Sequence, residues 1–147
     1  MATITEKLIS EASVTINAPA EKVWKAITTP SEIKKYLMGT NVESEWKEGS
    51  PIAYKGEYNG KAYHDKGIIK KFEPNKVFQS TYWSSAGGKE DKPENYNLVT
   101  YTLSNQNGKT LVTLSQDNVS SEKEKEHLDQ NWTMVMNKLK EVVEKGE

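Results

Sequence analysis

Apolar and polar residues alternate from Ala12, with Ala12, Val14 and Ile16 on one side and Ser13, Thr15 and Asn17 on the other. A period of two places the first set on one face of a half-buried strand. The period then lengthens. Pro19 suits the first turn of a helix, and Val23, Trp24 and Ile27 recur at helical spacing, which predicts a short helix over Pro19–Thr28. Thr29-Pro30-Ser31-Glu32 has the form of a capping box, with Thr29 as N-cap, Pro30 in the first turn and Glu32 able to reach back to the Thr29 amide. A second short helix is expected to run to about Leu37.

Beyond Asn41 the chain becomes rich in β-branched and aromatic residues interrupted by Gly, Pro and Asn, the pattern of an antiparallel meander. Six strands are predicted, approximately Asn41–Trp46, Ile52–Tyr58, Tyr63–Phe72, Val77–Trp83, Leu98–Leu103 and Leu111–Gln116. Turn signals separate them at Glu48-Gly49-Ser50-Pro51, Asn59-Gly60, Pro74-Asn75 and Asn105-Gln106-Asn107-Gly108. Ser84 to Asn97 is longer, polar and glycine-bearing, and reads either as a lid or as a tolerated hairpin end. A second capping box, Ser121-Glu122-Lys123-Glu124, opens a final helix whose apolar face carries Leu128, Trp132, Val135, Met136, Leu139, Val142 and Val143. About two dozen residues make this helix roughly 35 Å long. Trp132 is expected to be a large core aromatic whose truncation costs about 3–5 kcal/mol.

These elements give an α+β chain, one domain over residues 1–147: strand, two short helices, six strands, long helix. A curved antiparallel sheet of about seven strands is expected to carry the long helix across it.

Composition removes several kinds of function. The net charge is −1 from 20 basic and 21 acidic residues, and every basic residue is lysine. Without the guanidinium fork, and near neutrality, the chain is not expected to bind nucleic acid. With no cysteine it has no thiolate chemistry, zinc–sulfur site or disulfide. Met1 to Ser10 lacks the apolar stretch of a secretory signal and no run of 18 apolar residues occurs, so a cytoplasmic location without membrane insertion is expected.

The segment Val14-Thr15-Ile16-Asn17-Ala18-Pro19-Ala20-Glu21-Lys22-Val23-Trp24 resembles the opening of START-like (SRPBCC) helix-grip domains. It is most similar to the bacterial branch related to the C-terminal domain of the activator of the heat-shock-protein-90 ATPase. Gly67-Ile68-Ile69-Lys70-Lys71-Phe72-Glu73-Pro74-Asn75-Lys76-Val77 resembles that family's glycine-led strand, and Asn131-Trp132 with Leu139 its closing helix. Asn131 stands where relatives often have glycine, and Gln116 where they often have histidine. The resemblance implies a START/Bet v 1-like helix-grip fold, with hydrophobic ligand binding or a stress-related, chaperone-regulating protein interaction as its uses.

A long helix across a curved sheet tends to leave a cavity, and ligand pockets are mostly apolar with a few placed polar groups. Alternation puts Val99, Tyr101 and Leu103, then Val112, Leu114 and Gln116, on the presumed concave face. Trp132, Val135, Met136 and Leu139 face them from the helix, and Ile69, Phe72 and Trp83 from the middle strands. The same stripes would also close a filled core, so both readings stand at this point. Catalysis has less support. His64 and Asp65 are adjacent on a strand and point to opposite faces, His127 lies among Glu124, Glu126 and Asp129, and neither histidine has metal-ligand spacing. Gly87-Gly88 does not join a strand to a helix, as a phosphate cradle would require. The expected function is therefore non-catalytic binding of an apolar or amphipathic, lipid-like or polyketide-like molecule, with no cofactor, metal or catalytic residue. A protein-interaction module is the alternative, and a pocket enzyme such as a cyclase or hydrolase the second alternative.

Overall fold

The computed structural model describes residues 8–37, 39–58, 60–84 and 90–145. Strand β1 (Leu8–Ile16) is followed by helices α1 (Ala20–Thr28) and α2 (Pro30–Tyr36). Strands β2 (Asn41–Ser44), β3 (Pro51–Tyr58), β4 (Lys61–Glu73), β5 (Val77–Ser84), β6 (Asn97–Gln106) and β7 (Lys109–Val119) come next, and α3 (Glu122–Lys145) ends the chain. All pairings are antiparallel, in the order β1-β7-β6-β5-β4-β3-β2. The expected helix-grip arrangement is present, and no helix among the described residues is long and apolar enough to cross a membrane.

Several boundaries differ from the expectation for local reasons. The strand from Asn41 stops at Ser44 because Trp46 turns into the left-handed region at φ 58°, where no strand can continue. Ser44 Oγ accepts from Trp46 N at 3.1 Å and donates to Pro51 O at 2.9 Å, holding that turn. Thr29 makes no side-chain cap, and the Glu32 carboxylate pairs instead with Lys35 at 3.2 Å. At α3, Ser121 Oγ does accept from Glu124 N at 3.1 Å, but the Glu124 carboxylate bonds Ser120, one residue earlier than a reciprocal box requires. Asn107 and Gly108, at φ 55° and 86°, form the two-residue turn between β6 and β7. In the long connection after β5, Pro93–Asn95 makes one turn of 3-10 helix, and Trp83 and Asn95 both donate to Glu90 O. Residues 85–89, including Gly87-Gly88, and Asn59 of the Asn59-Gly60 signal lie outside the described residues.

The core fills one end of the concave face. Ile16, Val23, Ile27, Val112, Leu139 and Val142 are buried there, with rings of Trp24, Phe72 and Phe78 meeting edge to face at 5.2–6.4 Å. Alternation along β4 would turn Phe72 outward. A bulge between Ile69 and Lys71 shifts the phase by one residue and brings Phe72 opposite Phe78.

Helix α3 lies mainly over β1 and is fastened to it near both ends. Asp129 accepts from Ser10 Oγ at 2.6 Å and Glu11 N at 3.2 Å, and Glu144 from Asn17 N at 2.8 Å. Lys140 adds a bond to Thr15 O at 2.9 Å. Because these ties all reach the β1 edge of the sheet, the helix leaves the inner face of β3, β4 and β5 to other side chains.

Candidate ligand-binding site between sheet and helix

The half of α3 nearer its start stands away from the core. Met136, Leu139, Val142 and Val143 are buried, whereas Leu128, Trp132 and Val135 are only half-buried. Trp132 is thus not the enclosed core aromatic expected from its spacing. Its indole N–H donates to Gln116 Oε1 at 2.8 Å, so Gln116, a buried amide on β7, is partnered by the helix.

The other candidate residues divide between the inner and the outer face of the sheet. Val99, Tyr101, Leu103, Val112 and Leu114 are buried on the inner face, as the alternation implies, and Ile69 joins them from β4. All of these belong, with Met136 and Leu139, to the packed core cluster, and the half-buried Phe72 lies against it with its ring 5.2 Å from that of Trp24. Trp83 is a correction. It occupies the opposite parity to Phe78, Ser80 and Tyr82 on β5, and its ring stacks on Tyr96 at 6.4 Å beneath the Lys66 ammonium, on the outer face.

Beside these the structure assembles a cluster that the apolar pattern did not reveal. Tyr54, Tyr82, Asp65, Ser80, Tyr101 and Tyr36 gather on the inner face of β3 to β6 and on α2. Tyr54 and Tyr82 meet edge to face at 5.5 Å. Tyr82 donates a short hydrogen bond to Asp65 Oδ2, and the Tyr54 hydroxyl lies near Ser80. Tyr101 stacks on Phe78 at 5.9 Å, which joins the polar cluster to the aromatic core. Parity carries the missed signal: once Ile69 and Gly67 face inward on β4, Asp65 and Tyr63 must do so too.

Burial pushes the Tyr54 hydroxyl up to about 12 and raises Tyr36, Tyr82 and Tyr101 as well; for Tyr82 the bond to Asp65 adds to the effect. All four therefore stay protonated at neutral pH, with the O–H of Tyr82 already given to Asp65. Among the described residues no hydrogen bond reaches the hydroxyls of Tyr36 or Tyr101, although buried phenols ordinarily have partners. Tyr36 also reaches the surface side of the fold. With Val135, Lys35, Met134, Asn137, Lys138 and Glu141 it lines a groove of about 500 Å³ between α2 and α3.

The histidines lie elsewhere. His64 is exposed while its neighbour Asp65 is buried, as the alternation requires, and His127 is exposed and bonded to Asn131 at 3.2 Å. No cluster able to hold a metal occurs among the described residues.

The model of the "Activator of Hsp90 ATPase homolog 1-like protein" family matches residues 17–144. The solution structure of ChR145 from Cytophaga hutchinsonii is 46% identical, with a TM-score of 0.84 over 96% of this chain and 97% of that one. The Aha1 dimer from Colwellia psychrerythraea shares the fold at 22% identity and a TM-score of 0.75, covering 95% and 98% of the two chains. Ara h 8.0201 does so at 13% identity and a TM-score of 0.72, covering 93% and 97%. No match was found among curated proteins.

Proposed function

The chain belongs to the Activator of Hsp90 ATPase homolog 1-like family, and from that premise we propose that it binds an amphipathic small molecule between the sheet and α3 without altering it. What carries this reading is the pair of hydroxyls on the buried residues Tyr36 and Tyr101, which no hydrogen bond reaches among the described residues and which are not sealed off as Asp65 Oδ1 is. Around them the half-buried Trp132 and Val135 supply apolar surface, and Val99, Leu114 and Gln116 the facing wall. Mostly apolar walls with a few fixed polar groups are what a small-molecule site requires. Tyr36 and Val135 belong both to this set and to the groove between α2 and α3, which makes the groove the natural way in. A cytoplasmic setting, expected from the sequence, and a link to the stress response, implied by the family, accompany this reading.

The test is native mass spectrometry of the purified protein before and after mild denaturation, paired with titration of a hydrophobic fluorescent dye. A stoichiometric adduct lost on denaturation, or saturable dye binding abolished by Tyr101→Trp, supports the site. A bare protein mass together with no dye binding rules it out.

A second reading, a protein-interaction module, is favoured by the family's name and by the Colwellia relative being a dimer. Met134, 55% exposed beside the groove, would then belong to a contact surface. The same native spectra report the oligomeric state, so one experiment addresses both readings.

A further inference from the structure

Asp65 is the one buried side chain among the described residues with an oxygen, Oδ1, that has no hydrogen-bond partner. The residue is 6% exposed and sits on the inner face of β4, with Tyr54 opposite on β3 and Ser84 opposite on β5. Tyr82 satisfies Oδ2 only. No lysine completes the pair: Asp65 takes part in none of the ion pairs among the described residues, and the neighbouring Lys66 points outward to Asp91 at 2.5 Å. A buried acceptor of this kind is costly unless something donates to it.

We infer that Asp65 Oδ1 receives the polar end of the bound molecule, and that this end is a protonated amine. The inference rests on the binding site proposed above and specifies its ligand. A carboxylate accepts and cannot donate, so it discriminates against anionic head groups and in favour of donors. An ammonium makes the stronger, charge-assisted bond. Three strand spacings separate β4 from Gln116 on β7, about 14 Å along the sheet. The molecule is therefore an elongated apolar body with its amine at the β4 end, its body passing Tyr101 and its far end near Gln116 and Trp132.

Three probes with the same apolar chain test this: decylamine, decanol and decanoic acid, each titrated below its aggregation limit by displacement of the dye. The amine is expected to bind about tenfold or more tightly than the acid, with the alcohol between them. In Asp65→Asn, whose melting temperature is measured alongside, the preference is expected to shrink to within about threefold. Tyr82→Phe, which frees the second oxygen, is expected to keep the preference for the amine. If all three probes bind alike, or if the order is the same in Asp65→Asn, the site stands and the role of Asp65 falls. If none binds, the binding site itself falls and this inference with it. Should Asp65→Asn fail to fold, the order in the unaltered protein decides: acid binding as tightly as amine overturns the assignment.

Discussion

Trp132 on α3 and Gln116 on β7 are joined by one hydrogen bond of 2.8 Å across the gap between helix and sheet. It joins this half of α3 to β7, as Asp129 joins it to β1. Trp132→Phe keeps most of the ring and removes the donor, leaving a buried amide oxygen unpaired, at an expected cost of about 1–2 kcal/mol in urea unfolding. Gln116→Leu should cost a similar amount, and the double variant less than the sum by about 0.5–1.5 kcal/mol. Coupling indistinguishable from zero would show that the tie contributes nothing. Trp132→Ala should cost roughly 2 kcal/mol rather than the 3–5 of an enclosed aromatic, since the indole is only half withdrawn from water.

That difference marks where the sequence is readable and where it is not. Helical spacing correctly selects the side of α3 that faces the sheet, from Leu128 to Val143, but cannot say how far the helix end stands above it. Strand parity behaves similarly. On β6, Val99, Tyr101 and Leu103 are apolar against polar neighbours, so the inner face is legible. On β5 the two faces read Phe-Ser-Tyr-Ser and Val-Gln-Thr-Trp, each with an aromatic and a polar residue, so the pattern does not tell that Trp83 lies outside. Asp65 and Tyr54 were missed because a polar inner face imitates an outer one; only their phase relative to Ile69 and Ile52 distinguishes them.

Leu139 is fully buried and Met134, five residues earlier on the same helix, is 55% exposed. Leu139→Ala should lower stability by about 2–5 kcal/mol, and Met134→Ala by less than about 0.5 kcal/mol. Equal losses in denaturant titrations would mean that α3 packs by a different face.

Gly67 and Gly108 are needed for different reasons. A Cβ on Gly67 would run into the backbone carbonyl of Thr81 on β5, so Gly67→Ala must push two strands apart, at about 1–3 kcal/mol or more. Around Gly108 there is open space, but its φ of 86° is left-handed, and Gly108→Ala should cost about 1–2 kcal/mol through backbone strain alone. Hydrogen exchange separates the two: Gly67→Ala should loosen β4 and β5, and Gly108→Ala only the β6–β7 turn.

Tyrosine is neutral when protonated, and burial favours that form in Tyr36, Tyr54, Tyr82 and Tyr101. Above about pH 10 the unfolded chain releases phenolic protons that the folded chain keeps. Stability from this source is intact below that pH and drains away as pH rises towards the folded value, about 12 for Tyr54. Phenolate absorbance from these four should therefore rise only together with loss of fold. A single smooth titration of all seven tyrosines with the fold intact would refute the burial described here.

The carboxylates of Asp129 and Glu144 hold α3 to the backbone of β1 near both ends, while the groove lined by Tyr36 and Val135 opens on the side of the helix facing α2. Hinge and doorway are thus on different flanks. In the proposed binding mode a molecule entering by that groove would come and go while both latches remain shut, so its residence time and the lifetime of the folded state would answer to separate barriers. Weakening the latches would then shorten the life of the fold without changing that residence time.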